Sequence, residues 1–262
     1  MKYKNSLSSS ERSDGILHLI ENSRHITVEM ICREFHISAA TARRDLDYLS
    51  KQSSIKRVHG GAIALHKSLP ENPVIQRMNI QTENKRLIGI AAAEMIEPGD
   101  TLFLGSGTTV LEIAKNIKLI DDITVITNSL LVLNELIESR NITLVDPGGL
   151  VRRSEHSMIG DLTESTLDGL NADKVFIGIH GIDLEQGLTN RYLPETMTDR
   201  KILQMGKKII IVADHTKCGL ISTSHVAPIA VISTLVTDED APGEFVENLR
   251  DLGINVVLAG HN

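Results

Sequence analysis

The chain has 262 residues, 41% hydrophobic and 23% charged, with 27 Lys/Arg against 34 Asp/Glu for a formal net charge of −7. That length accommodates two domains, one with a substantial core, and the ordinary composition excludes a fibrous or low-complexity chain. No 18-residue apolar run and no cationic leader ahead of an apolar stretch occurs, so neither a membrane span nor a signal peptide is expected and the chain reads as cytoplasmic.

The first ten residues are polar and serine-rich and are expected to be disordered. Residues 11–66 read as a winged helix-turn-helix. Residues 11–23 form a first helix that packs through Ile16, Leu17 and Ile20. Thr27 then caps a second helix on which Val28, Ile31, Cys32 and Phe35 fall at i, i+3, i+4 and i+7. His36 and Ile37 make a turn, and Ser38 caps a third helix. On it Ala39, Ala42, Leu46 and Leu49 share one face, while Ala40, Thr41, Arg44 and Tyr48 point the other way with Arg43 on the flank. A helix offering small residues near its start and then two arginines can enter a major groove, so Ser38, Ala40, Thr41, Arg43, Arg44 and Tyr48 are candidate DNA contacts. A hairpin over residues 55–65, reversing at Gly60-Gly61, adds Lys56, Arg57 and His59 as groups that can lie against phosphates. The charge distribution agrees: residues 1–66 hold ten Lys/Arg and seven Asp/Glu, or +3, and the remainder 17 and 27, or −10.

Residues 67–81, with Pro70 and Pro73 and no apolar period, read as a linker. From residue 82 to the end, helices and short β-branched runs alternate. Helices are expected at 82–96, 110–116, 130–138, 161–167, 195–205 and 243–252, and strands at 101–104, 123–126, 142–145, 174–179, 208–213, 230–236 and 255–258. Such alternation predicts an α/β domain with a mainly parallel sheet covered by helices on both faces, and ligands at the carboxyl ends of its strands. Gly105-Ser106-Gly107-Thr108-Thr109 follows the first strand and can wrap an anion with backbone N–H groups. It lacks the lysine of a P-loop, and Val110 stands where a dinucleotide fingerprint has its third glycine, so a phosphate or a sugar hydroxyl cluster fits better than a nucleotide. None of the ten histidines has metal-ligand spacing, and Cys32 and Cys218 differ too much in context for a disulfide or zinc framework, so no metal and no cofactor are expected.

The run ISAATARRDLDYLSKQSSIKRVHGGA resembles the DNA-binding half of the DeoR family of bacterial transcription regulators, matching at Ser38, Thr41, Arg43, Arg44, Asp45, Leu46, Gly60 and Gly61, with Ala42 where a larger aliphatic residue is usual. LFLGSGTTVLEIAK, ITN, GG, GIDLEQGLT and IIIVADHTKCG are similar to the same family's effector-sensing half, which shares its fold with ribose-5-phosphate isomerase. The resemblance implies a sensor of phosphorylated sugars in which Ser106, Gly107, Thr108 and Thr109 hold the phosphate and Asn128, Gly149, Asp183 and Lys217 line the pocket. Arg152 and Arg153, just past the third loop, read either as anion partners or as a solvated surface pair. His180 and the Tyr192-Leu193-Pro194 stretch depart from the family pattern.

The implied function is a DNA-binding regulator, a repressor of sugar or sugar-acid catabolism released from double-stranded operator DNA when the effector binds, and acting as a homodimer or larger oligomer. The alternative is a sugar-phosphate isomerase or deaminase with an appended DNA-binding domain, in which Asp183, Glu195, Asp214 and Lys217 would supply acid and base.

Overall fold

The computed structural model describes residues 12–13, 15–17, 19–20, 25–51, 55–58, 60–64 and 73–260. The chain divides into two compact units, with the boundary between residues 71 and 72. The expected disorder of residues 1–10 lies outside the described residues, as do His59 and the first part of the expected linker.

In the first unit the helical residues 16, 17 and 20 bury Ile16, Leu17 and Ile20 against α1 (Val28–Phe35) and α2 (Ala39–Lys51). Thr27 is the N-cap of α1, its hydroxyl accepting from the Met30 amide at 3.1 Å, and His36 ends the helix in the left-handed region. Ala42, Leu46 and Leu49 are buried as their spacing requires. Ala39, expected with them, is exposed because it stands in the first turn, before the helix reaches the core. The wing has three strands, not two: β1 (His25–Thr27) pairs with β3 (Gly61–Ala64), which pairs with β2 (Ile55–Val58). Gly60, at φ 83°, makes the turn. Gly61 is a contact glycine, since a Cβ there would lie 2.0 Å from the Ile26 carbonyl oxygen.

The second unit starts earlier than the pattern predicted. Residues expected in a linker form the helical turn α3 (Val74–Arg77), whose Val74 is fully buried. After α4 (Thr82–Ala93) come β4 (Thr101–Leu104), α5 (Thr108–Asn116), β5 (Ile123–Thr127), α6 (Leu130–Leu136) and β6 (Ile142–Val145). Together with β9 (Ala172–Ile177), β12 (Gly206–Val212), β14 (Thr234–Asp238) and β15 (Asn255–Ala259), these strands build a seven-stranded sheet of order β15-β14-β12-β9-β4-β5-β6, parallel at every pairing. Alternate residues enter different cores: Leu102, Leu104, Phe176, Ile210 and Val212 on one face, Phe103, Val175, Ile177, Ile209 and Ile211 on the other.

Short antiparallel pieces that carry too few residues to show a period complete the unit. They are β7 (Leu150–Arg152) with β8 (Ser157–Ile159), and β10 (Gly181–Asp183), β11 (Gly187–Asn190) and β13 (Ser224–Ala227) in one small sheet. The remaining helices are α7 (Asp161–Leu167), α8 (Leu193–Met205) and α9 (Gly243–Asp251). The strand expected at 230–236 begins only at Thr234, because Ile229–Val231 forms a 3₁₀ turn first. No described helix is long and apolar enough to cross a membrane.

Candidate functional site

In the first unit, Ser38 accepts from the Thr41 amide at 3.2 Å and lies 3.0 Å from the Thr41 hydroxyl, so these two residues start α2 as well as standing on its outer side. Ala40, Arg43, Arg44 and Tyr48 are exposed, Tyr48 by 56%. Asp45 is turned inward and fixes the helix by an ion pair with Arg12 at 2.5 Å. On the wing Lys56 is exposed, whereas Arg57 leans back toward Asp47 of α2, Nε to Oδ1 3.3 Å, and serves to brace wing against helix. The result is a face with two unengaged arginines and a lysine beside small side chains, the surface a duplex groove accepts.

In the second unit a helix crossing lies beside the loop expected to wrap an anion. Gly89 of α4 meets Glu112 of α5 so closely that a Cβ would lie 2.4 Å from the Glu112 Cβ. One turn back along each helix stand Lys85 and Thr108, which line one cleft of about 220 Å³ with Met78, Asn79, Thr82, Leu111, Glu112 and Lys115. Thr108 and Thr109 are buried, and Gly107, at φ 113°, turns the chain from β4 into α5. That helix has no side-chain N-cap, so its first-turn amides and the positive end of its dipole face the loop. Lys85 is only 6% exposed and donates to the carbonyls of Arg77 and Ile80 at 2.8 and 2.6 Å. Its charge is felt across the site: burial pushes the Asp214 carboxyl upward, but Lys217, the Thr216 hydroxyl, Lys85 and His215 together hold it below the usual range. The cleft thus brings a buried ammonium and the hydroxyl-bearing Thr82 and Thr108 beside an uncapped helix start, groups of the kind that suit a small anion.

The other expected pocket residues divide. Asn128 is buried at the end of β5; its amide nitrogen donates to the Met158 carbonyl at 3.0 Å, and its Oδ1 has no donor among the described residues. Lys217 lies in the 3₁₀ turn after β12, beside Asp214. Gly149, at φ 133°, is packed against Thr163, whose hydroxyl a Cβ would meet at 1.9 Å. The Asp183 carboxylate accepts from the amides of Glu185 and Gln186 at 2.9 and 2.8 Å and closes the β10–β11 hairpin. Arg152 is not a solvated partner of exposed Arg153: its side chain is buried, ion-paired with Glu195 and stacked 4.4 Å from the Tyr192 ring centre. Tyr192, at the start of the Tyr192-Leu193-Pro194 stretch, thereby covers one face of the guanidinium. Beyond it, Asn190 links the carboxylate of Asp199 to the amide of His180. Burial and the Glu195 charge push the Asp199 carboxyl well above its usual range.

Lys85 and Thr82 escaped the sequence reading. Their signal was a lysine three residues before Ile88, on the stripe that Ile88 and Ala92 bury.

Two family models match this chain: the DeoR-like helix-turn-helix domain over residues 12–68 and the DeoR C terminal sensor domain over residues 80–239. The chain belongs to the DeoR family. DeoR relatives include the HTH-type transcriptional repressor GlcR of Bacillus subtilis (strain 168), 33% identical over 95% of this chain and 95% of its own length. Another is the glycerol-3-phosphate regulon repressor of Escherichia coli (strain K12), 31% identical over 95% of this chain and 98% of that protein. Among solved structures, a ribose-5-phosphate isomerase in complex with phospho-erythronic acid aligns with a TM-score of 0.40 and 19% identity, covering 52% of this chain and 54% of that one. The DeoR helix-turn-helix match takes in the exposed arginine face, and the sensor match takes in Thr82, Lys85 and the Gly105–Thr109 loop.

Proposed function

We propose that this DeoR protein is a transcriptional repressor of a carbohydrate-catabolism operon, released from double-stranded operator DNA when a phosphorylated sugar-type effector occupies the second unit. The observation that carries the effector half is the buried Lys85 beside the uncapped start of α5, a charge and dipole arrangement suited to a phosphate monoester. The relatives point the same way, one of them being named for a phosphorylated polyol. Ser106, Gly107, Thr108 and Thr109 hold the phosphate with Lys85, while Asn128 and Lys217 reach the sugar. Ser38, Ala40, Thr41, Arg43, Arg44, Tyr48 and Lys56 contact DNA. Because one winged helix reads only a few base pairs, the protein acts as a homodimer or larger oligomer on repeated half-sites, in the cytoplasm where the DNA is. Asp183 and Asp214, which an isomerase reading would use as acid and base, both cap backbone amides, and that favours a binding role.

A gel shift of the full-length protein on its own upstream region, with and without a panel of sugar phosphates, tests the reading. Thr108→Asp sets a carboxylate against the incoming phosphate; it is expected to keep operator affinity and lose release by the active compound. Normal release of that variant would remove the phosphate assignment.

A further inference from the structure

The stretch 74–80 is tied to the rest of the second unit at three points. The Val74 amide donates to the Ser154 carbonyl at 2.7 Å, and the Arg77 guanidinium donates to both carboxylate oxygens of Glu155. Glu155 is 3% exposed, so the guanidinium faces a buried carboxylate. From the other side, the Lys85 ammonium holds the carbonyls of Arg77 and Ile80. A lysine carries its charge on a flexible four-carbon stem, and here the two carbonyls orient it. Met78 and Asn79 of the same stretch line the cleft with Lys85 and Thr108. A ligand there touches Met78 and Asn79, a few residues past the boundary between the two units.

Resting on the anion-site reading above, we propose that Arg77 and Glu155 are positioning residues for the effector: they pin residues 74–80, whose carbonyls aim Lys85 at the anion, so that anion binding and order in this stretch stabilise each other. A bound anion adds to the charge facing the buried ammonium and holds it in place, and the ammonium in turn holds the stretch. By reciprocity, loosening the stretch weakens the anion, and the anion stiffens the stretch. The effector signal thus enters the chain at the point where the sensor meets the connection to the winged helix.

The test uses the full-length protein with inorganic phosphate as probe, reading phosphate affinity by calorimetry and amide hydrogen exchange in peptides covering residues 74–80. Phosphate is expected to slow exchange there about tenfold, and Glu155→Gln, which keeps the shape but removes the charge facing Arg77, to weaken phosphate by about the same factor and abolish the added protection. Glu155→Asp should restore part of both. Lys85→Met should bind phosphate weakly and show no phosphate-dependent protection. If Glu155→Gln does not melt cooperatively, Arg77→Lys, which keeps the charge but not the fork, carries the same expectation. Phosphate binding to wild type with unchanged exchange at 74–80, or wild-type affinity in the folded Glu155 or Arg77 variant, overturns the coupling and leaves the anion site standing. Failure of wild type to bind phosphate removes the anion site and the coupling together.

Discussion

At the scale of single residues, the two halves of the protein use charge in opposite ways. Arg43 and Arg44 are exposed on α2, while Lys85 and Arg152 are buried, each engaged by carbonyls or a carboxylate. Arg44→Ala removes no partner among the described residues, so the fold should persist. Specific operator affinity should fall by about 1–3 kcal/mol, roughly five- to 150-fold, in a titrated gel shift with circular dichroism as control. A second expectation concerns His215, whose ring lies 2.8 Å from Asp238. The hydrogen bond to Asp238 raises the His215 pKa above its usual 6.5, against the opposing effect of burial. Burial alone would raise Asp238, but its bonds to His215 hold it below the usual carboxylate range. The pair therefore contributes fully below about pH 6.5 and loses its contribution as pH rises through the raised His215 value; on the acid side it is lost as pH falls through the depressed Asp238 value. Melting temperatures of wild type and His215→Gln should differ most near pH 5 to 6 and converge toward pH 9. A constant gap across that range would show that the imidazolium contributes nothing.

At the scale of elements, the proposed anion site depends on how α4 and α5 cross. The crossing is set by Gly89, the one residue type that lets α4 backbone meet Glu112. Gly89→Ala gains helix propensity of about 1 kcal/mol, yet its Cβ would lie 2.8 Å from the Glu112 carbonyl carbon, a contact no side-chain rotation relieves. The net effect should be a loss of about 1–3 kcal/mol in urea unfolding, together with weaker phosphate binding as Lys85 and Thr108 separate. Unchanged stability and affinity would mean that the crossing is adaptable and does not set the site. The helix period of α4 was visible in the residues, but the identity of its neighbour was not. A lysine on an apolar stripe reads as an interruption until the carbonyls of Arg77 and Ile80 are seen to receive it.

At the scale of the whole molecule, the charge is divided, +3 in residues 1–66 and −10 in the remainder. Binding through the basic unit should weaken steeply with salt, because each neutralised phosphate releases counterions, while phosphate binding by the acidic unit should depend on salt much less. Operator affinity measured across a salt series is the check. A slope near zero would be incompatible with phosphate contacts by Arg43, Arg44 and Lys56. The division into two units also predicts that residues 72–262 unfold cooperatively by themselves and still bind phosphate, measured by calorimetry on that fragment. A fragment that does not fold would show that the second unit depends on the first.

The residues by themselves determined the winged helix-turn-helix, the parallel α/β class and the glycine loop after β4, because each is written locally: a cap at Thr27, a 3.6 period on α1 and α2, buried β-branched runs, and glycines at Gly105 and Gly107. The tertiary structure alone decided the third wing strand, the ordering of residues 74–80, the burial of Arg152 against Glu195, and the place of Lys85. These rest on partners 5 to 78 residues away in the chain. No local pattern encodes such pairings, since one residue's side-chain chemistry is the same whether its partner is water, a carbonyl or a buried carboxylate.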